Sequence, residues 1–137
     1  MKIAGGIGLV YNNLILLGRR VDLWEGKPIP FGGYWSIFGG TCNNKENPII
    51  CAIRELEEET QIKVQLHEVI YTKPLQNKDS IFHVYFSELS EQLNPILNEE
   101  HTEYGWFTID DLHRFPYDID DRLVDIIQEY KKSKYDS

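Results

Sequence analysis

Three glutamates with helical spacing are the residues of this sequence whose arrangement best suits chemistry. Glu55, Glu58 and Glu59 occupy positions i, i+3 and i+4 of one segment. Residues at these spacings share one surface of an α-helix. Apolar residues of the same segment fall on an adjacent arc and would pack, namely Ile49, Ala52, Ile53 and Leu56. The other face would then present carboxylate oxygens, the ligands that Mg²⁺ and Mn²⁺ prefer. By themselves, such acidic edges are more often solvated surface than metal sites.

The overall composition favours a small acidic protein. The chain has 137 residues, with 14 Lys plus Arg against 22 Asp plus Glu and a formal net charge of −8. This length predicts one domain spanning residues 1–137. The negative charge argues against stable nucleic-acid or membrane partners. It leaves room for a phosphorylated small molecule, because a metal bound to the carboxylates would reverse the local field.

The two cysteines, Cys42 and Cys51, lie in or beside the acidic segment. No pairing of Cys and His residues suggests a zinc site, and we expect both thiols to be reduced. The sequence has no apolar run long enough to span a membrane and no signal-peptide core, so a cytoplasmic location is expected.

The elements that would position the carboxylates are strands and one well-marked helix. Asn47 and Pro48 supply an N-cap and a first-turn proline for a helix that reaches about Thr60. Thr108 and Asp111 form a capping-box pattern for a short later helix. Strands are predicted in 2–17, which is broken by an Asn-Asn turn, and in 35–38, 63–72, 80–86 and 104–107. A Pro/Gly-rich connection over 19–34 is typical of a lid or specificity loop. A last helix has an apolar stripe at Leu123, Ile126, Ile127 and Tyr130. This pattern predicts a mixed sheet between helices.

Segment 40–62 closely resembles the Nudix box, the signature of a family of pyrophosphohydrolases. The box has the form Gly, five residues, Glu, seven residues, Arg-Glu-apolar-any-Glu-Glu-any-Gly-apolar. The one departure is Gln61, which stands where the family has a glycine that ends the helix. The matching positions are Gly40, Glu46, Arg54, Glu55, Leu56, Glu58, Glu59 and Ile62. Segments 34–40 and 100–107 also resemble the strand that enters the box and the family's later Glu-containing loop. The fixed spacing makes this signal much stronger than a lone Glu-Glu pair.

The resemblance implies a Nudix α/β/α sandwich with a mixed central sheet, an α/β fold of the α+β type. It also implies metal-dependent hydrolysis of a nucleoside diphosphate linked to another group, with Mg²⁺ or Mn²⁺ as cofactor. The expected partner is a small nucleotide, such as a nucleoside triphosphate, a nucleotide sugar or a dinucleotide. The resemblance leaves a monomer and a homodimer open, and it includes the homodimer because many relatives are dimers. The main alternative is a non-catalytic nucleotide-binding or sensing module on the same fold. A third alternative is an isomerase on the same scaffold, which would need an added acid and base.

The resemblance also assigns roles to the box residues. Glu58 and Glu59 would be direct metal ligands, and Glu55 would be a ligand or the base that activates water. Arg54 would orient a carboxylate, and Gly40 would offer a carbonyl ligand. A residue outside the helix would complete the metal site, with Glu100 as the first choice and Glu103 as the second. Glu46 would have the structural role of closing the loop.

Substrate contacts are expected near the start of the long connection. Arg19 and Arg20 resemble a place where relatives hold phosphate, although surface arginines at a strand end are also common. Tyr34 and Trp35 are candidates to stack a base, with core packing as the favoured alternative. His101, inside the later loop, is a candidate for substrate contact or proton transfer. The sequence does not determine the base or the leaving group.

Overall fold

The computed structural model describes residues 1–135, which form a strand-rich sandwich with helices on both sides. The two α-helices are α1 (Pro48–Thr60) and α2 (Asp121–Tyr135), and short 3-10 helices span Leu66–Glu68 and Ile109–Arg114. The strands are β1 (Lys2–Tyr11), β2 (Leu14–Arg20), β3 (Leu23–Trp24), β4 (Lys27–Pro28), β5 (Trp35–Ser36), β6 (Phe38–Thr41), β7 (Val69–Gln76), β8 (Ser80–Glu88) and β9 (His101–Thr108).

The central sheet is mixed, as the sequence predicts. Its main path runs β5-β2-β1-β8-β7, and β6 and β9 add to it by pairing with β1 and β2. Strands β1 and β8 run parallel, whereas the other pairs in this sheet are antiparallel. The two remaining strands, β3 and β4, form a separate small hairpin inside the long connection.

Alternating side chains give the sheet two apolar faces. Ile7 and Leu16 pack with Leu56 of α1 on one face. Ile15 and Leu17, from the same strand as Leu16, pack with the 3-10 helix and α2 on the other face. Side chains alternate between the faces of a pleated strand, so β2 supplies both cores. The α/β/α sandwich is therefore confirmed, with α1 on one side and α2 on the other.

Helix α1 begins as predicted and lies very close to the sheet. The side-chain oxygen of Asn47 accepts a hydrogen bond from the Ile49 backbone N–H at 3.0 Å, and Pro48 fills the first turn. A Cβ at Gly5 of β1 would stand 2.6 Å from the carbonyl oxygen of Pro48 and 3.3 Å from the Ala52 Cβ. The glycine therefore lets the helix rest directly on the strand backbone.

The end of α1 shows how the chain accommodates its departure from the Nudix box. The helix ends at Thr60, and Gln61 adopts a left-handed conformation with φ of 62°. Its backbone N–H donates to the Glu57 carbonyl at 2.9 Å. A glutamine thus occupies the left-handed capping position that usually favours glycine.

Three expectations about local structure need correction. The strand predicted over 63–72 begins only at Val69, because Leu66–Glu68 forms a 3-10 turn first. The predicted capping box does not form, since Thr108 makes no side-chain cap hydrogen bond and the helix after it is of the 3-10 type. The long connection is not wholly irregular, because it holds the β3–β4 hairpin.

Within the described residues, no helix is long and apolar enough to cross a membrane.

Candidate metal centre

Three carboxylates from two parts of the chain meet at the C-terminal half of α1. Glu55 and Glu59 project from the helix, and Glu100 lies immediately before β9. Each offers an oxygen atom, and these three atoms lie within 4.8 Å of one another. The backbone fixes the later loop in place, since the Asn98 N–H donates to the Glu59 carbonyl at 3.4 Å. Oxygen ligands from the helix and from the loop thus converge.

Glu59 is the most buried of the three acids. Only 2% of the residue is exposed, and its Oε1 has no hydrogen-bond partner among the described residues. Burial, together with the neighbouring charges of Glu100 and Glu55, raises the pKa of its carboxyl to about 9. A buried, unpartnered carboxylate oxygen is costly for a fold and is common at functional sites.

Glu55 lies directly against the backbone of the box glycine. A Cβ at Gly40 would stand 2.6 Å from the carboxyl carbon of Glu55, so any side chain there would occupy the space of the carboxylate. Burial raises the pKa of Glu55, and the Arg54 guanidinium opposes this shift. The absence of a side chain at Gly40 thus creates the space in which Glu55 sits.

Arg54 connects these acids to the loop before the helix. Its Nε and Nη2 atoms donate to the two carboxylate oxygens of Glu46 at 2.8 Å and 2.9 Å. Its Nη1 donates to Glu55 at 3.1 Å and to Glu58 at 3.0 Å. The hydrogen bonds from Arg54 lower the pKa of Glu46 to about 2, and the carboxylates in turn raise the pKa of Arg54. One guanidinium therefore orients three carboxylates through charge-assisted hydrogen bonds.

Two of the predicted acids lie outside the three-carboxylate cluster. The side chain of Glu58 is 53% exposed and points to Arg54, one helical turn away. The side chain of Glu103 is 60% exposed, and its Oε2 lies 4.0 Å from Arg19 Nε. Of the two loop acids considered from the sequence, the structure therefore brings Glu100 to the cluster and not Glu103.

Asn98 is a site residue that the sequence reasoning missed. Its Oδ1 accepts a hydrogen bond from the Glu100 N–H at 3.0 Å, and its Nδ2 donates to Glu100 Oε2 at 3.3 Å. This is the local turn that asparagine forms with the backbone two residues later. An Asn two positions before the candidate acid was the available signal in the sequence.

The two predicted arginines have different surroundings. Arg19 is engaged, because it donates to Thr102 at 3.2 Å and pairs with Asp22 at 3.3 Å. Arg20 is exposed at the end of β2, in register with His101. The connection that begins there is tied to the acid cluster, since the Val21 N–H donates to the Glu100 carbonyl at 3.0 Å.

The two aromatic candidates also differ. Tyr34 is half-buried and meets the ring of Phe31 edge to face at 5.3 Å. Trp35 is only 5% exposed and belongs to the core on the α2 side, where its ring stacks with that of Tyr117. The position of Trp35 is the one expected for core packing.

His101 is buried beside the cluster. Its ring packs against Phe38 with centroids 4.7 Å apart, and its Nδ1 has no partner among the described residues. Burial, with the nearby charge of Arg20, lowers the pKa of the imidazole to about 4. His101 is therefore neutral at pH 7.

The donors of this cluster fit a hard divalent cation. Glu55, Glu59 and Glu100 offer only oxygen atoms, and Glu59 Oε1 lacks any other partner in the described part of the chain. Mg²⁺ and Mn²⁺ prefer such ligands, and bound positive charge would favour the ionised form of Glu59.

Comparison with known proteins identifies a family. The family model described as NUDIX domain matches residues 2–129. A search of curated proteins found no match.

Solved structures share the fold at low sequence identity. The MutT NUDIX hydrolase of Burkholderia pseudomallei has 23% identity and a TM-score of 0.74, over 93% of this chain and 95% of its own. A Caenorhabditis elegans Ap4A hydrolase in a binary complex has 14% identity and a TM-score of 0.73, over 100% of both chains. The NUDIX domain of Shewanella oneidensis NrtR, complexed with ADP ribose, has 18% identity and a TM-score of 0.69, over 96% of this chain and 85% of that one. A longer MutT/nudix family protein from Enterococcus faecalis has 22% identity and a TM-score of 0.65 over 77% of this chain. The present chain spans only 43% of the length of that protein.

Proposed function

The chain belongs to the Nudix family of pyrophosphohydrolases, and we propose that it cleaves a pyrophosphate bond of a small nucleotide with Mg²⁺ or Mn²⁺ as cofactor. We further propose that residues 1–137 act as one Nudix domain and that the substrate is a nucleoside diphosphate linked to another group. A homodimer and a cytoplasmic location remain predictions from the sequence.

The convergence of Glu55, Glu59 and Glu100 is the observation that carries this proposal. Their oxygens lie within 4.8 Å of one another although Glu100 is 41 positions beyond Glu59 in the sequence. An acidic helix edge alone would be an ordinary solvated surface. A buried acid with an unpartnered oxygen, joined by an acid from a separate loop, supports a metal site instead.

These three residues would hold the cation, and Gly40 would add its carbonyl oxygen. When bound, a divalent metal neutralises charge on the phosphates and lowers the pKa of a coordinated water. Glu58 would join the ligands after its carboxylate leaves Arg54. As the alternative to binding the cation, Glu55 would accept a proton from the attacking water, because its pKa is raised and Arg54 holds one of its oxygens at 3.1 Å. Arg54 would keep Glu55 oriented throughout.

Arg20 is the better of the two candidates for contacting phosphate. Arg19 already engages Asp22 and Thr102, whereas Arg20 is exposed beside the acid cluster, where a substrate bound to the metal would carry its negative charge. A guanidinium can bind phosphate oxygens in a bidentate manner. Tyr34 is a candidate to contact the base, because it is half-buried at the end of the same connection. For Trp35, which the core encloses, burial weakens the proposal of base stacking.

The substrate class should be sought among soluble nucleotides. The related structures include an Ap4A hydrolase and a domain that binds ADP ribose, and both of these ligands join nucleosides to other groups through phosphates. The net charge of −8 also disfavours a polyanionic nucleic-acid substrate.

The test is hydrolysis of a panel of nucleoside triphosphates, nucleotide sugars and dinucleoside polyphosphates with Mg²⁺ or Mn²⁺. We expect at least one compound to be cleaved between phosphorus atoms and Glu59→Gln to lose most of this activity. Glu103→Gln, which changes an exposed acid outside the cluster, is the matched control and should retain it. If nothing is cleaved, or if Glu59→Gln keeps the full rate, the proposal fails. Tight nucleotide binding by calorimetry without turnover would support the alternative of a sensing module.

A further inference from the structure

A second cluster of potential ligands lies on the other side of Arg54 and uses different chemistry. The thiols of Cys42 and Cys51 and the carboxylate of Glu46 each offer one ligand atom, and these atoms lie within 4.8 Å of one another. None of its three ligand residues belongs to the three-glutamate cluster, although the Cys51 thiol contacts the Gly40 carbonyl. It was not expected from the sequence, because Cys42 and Cys51 show no pattern of spacing typical of zinc sites.

The backbone holds all three residues in place. Cys42 follows β6, and its N–H donates to the Ile3 carbonyl of β1 at 2.8 Å. Cys51 lies in the first turns of α1 and is fully buried, whereas Cys42 is half-buried. A tight turn positions Glu46, whose Oε1 accepts from the Asn43 N–H at 2.9 Å. The ligands are therefore presented by a strand end, a helix and a closed turn.

The contacts within the cluster show that its polar atoms face one another. The Cys51 thiol donates to the Gly40 carbonyl at 3.5 Å. Its Sγ also lies within 4.8 Å of the Cys42 Sγ and of a carboxylate oxygen of Glu46. In tetrahedral zinc sites, Zn–S bonds of about 2.3 Å place two sulfur ligands about 3.8 Å apart. The observed separations of at most 4.8 Å require only a small adjustment to reach that geometry.

We propose that Cys42, Cys51 and Glu46 form a second metal site, which binds a thiophilic divalent cation of the Zn²⁺ class. Thiolates select such cations over Mg²⁺ and Mn²⁺, which prefer oxygen ligands. The cation displaces the thiol protons and leaves a fourth position for water. Two thiolates and a carboxylate place three negative charges around the cation, and Arg54 balances the excess charge.

Glu46 can serve the cation without releasing Arg54. Its Oε2 accepts a hydrogen bond from Arg54 Nε at 2.8 Å. A carboxylate oxygen has about two acceptor positions. The arginine then acts as an outer-shell partner that orients the ligand, as such partners commonly do in metal sites.

The composition of the chain allows a clean test. The sequence has only two cysteines, so the ultraviolet charge-transfer absorption from thiolate to Cd²⁺ reports on this pair alone. The reduced protein is titrated with Cd²⁺, followed by competition with Zn²⁺ and with excess Mn²⁺. We expect one Cd²⁺ per chain to give this absorption, Zn²⁺ to remove it and Mn²⁺ to leave it unchanged.

Variants separate this site from the three-glutamate site. Cys42→Ser should weaken Cd²⁺ binding by at least about tenfold, since loss of even an outer-shell partner commonly costs 10- to 100-fold. Glu59→Gln, the control in the other cluster, should bind Cd²⁺ as the wild type does. Because Cys42 is half-buried, circular dichroism should verify the fold of its variant. Absence of a thiolate signal, displacement by Mn²⁺ or unchanged affinity in Cys42→Ser would overturn the proposal.

Discussion

Replacing Glu59 by Gln should stabilise the metal-free protein at neutral pH while it removes metal binding. Burial keeps the pKa of this carboxyl at about 9 in the folded state, against 4.5 for an ordinary glutamate. Between these values the folded chain keeps a proton that the unfolded chain releases. The retained proton of Glu59 therefore makes a contribution to the free energy of unfolding that is fully present below pH 4.5 and is lost progressively as pH rises toward 9.

The size of the effect follows from the shift. About 2.5 pH units separate pH 7 from the ordinary pKa, and each unit corresponds to about 1.4 kcal/mol. Glu59 therefore lowers the free energy of unfolding by about 3 kcal/mol at pH 7, relative to its value at low pH. Glutamine does not titrate, and its amide, like the protonated carboxyl, can donate a hydrogen bond to Glu100. The variant should avoid this loss.

Urea unfolding in the presence of a chelator measures the effect. The difference in unfolding free energy between Glu59→Gln and wild type should grow by about 3 kcal/mol from pH 4 to pH 7. Glu57→Gln is the matched control, because Glu57 is an exposed acid on the same helix and its variant should change the difference little. A difference that does not vary with pH, or a variant that is less stable than wild type at pH 7, would refute the reasoning.

Three further substitutions probe the supports of the site. Gly40→Ala should leave the fold intact but push the flexible Glu55 carboxylate aside. The Mn²⁺ affinity measured by calorimetry should then fall about tenfold or more. Unchanged affinity would show that this contact is unimportant for metal binding. Arg54→Lys keeps the charge but loses the paired hydrogen bonds to Glu46, so the turnover number should fall about tenfold; wild-type turnover would contradict the orienting role. Gln61→Gly should relieve the left-handed backbone and raise the free energy of unfolding by up to about 1 kcal/mol in urea titrations, and a loss of stability would exclude this account of the helix end.

Local patterns predicted the parts of the structure that depend on neighbouring residues. The start of α1 follows from Asn47 and Pro48, and the turn between the first two strands follows from the Asn-Asn pair. The spacing of the box acids placed them on one helix, whose apolar residues pack on the sheet. These features need only helical geometry, capping and burial, so the sequence contains them directly.

The rest depended on tertiary contacts that no local pattern encodes. The meeting of Glu100 with Glu59 requires the whole path of β7, β8 and the following loop. Cys42 and Cys51 come together because β6 pairs with β1 and α1 packs against both strands. No sequence motif around either cysteine indicates this proximity. The sequence pattern also places Glu55, Glu58 and Glu59 on one helix surface without indicating how exposed each of them is. Packing buries Glu59 and leaves Glu58 exposed.

The central claim is that Glu55, Glu59 and Glu100 form the metal centre of a pyrophosphohydrolase. The most direct measurement is Mn²⁺ binding by electron paramagnetic resonance, with wild type, Glu100→Gln and Glu103→Gln compared in parallel. Both variants replace a carboxylate by an amide at the start of β9 or just before it, but only Glu100 contributes an oxygen to the cluster. We predict that Glu100→Gln weakens Mn²⁺ binding by at least about tenfold and that Glu103→Gln binds as wild type does. Equal Mn²⁺ affinity in all three proteins, or a loss confined to Glu103→Gln, would contradict the account.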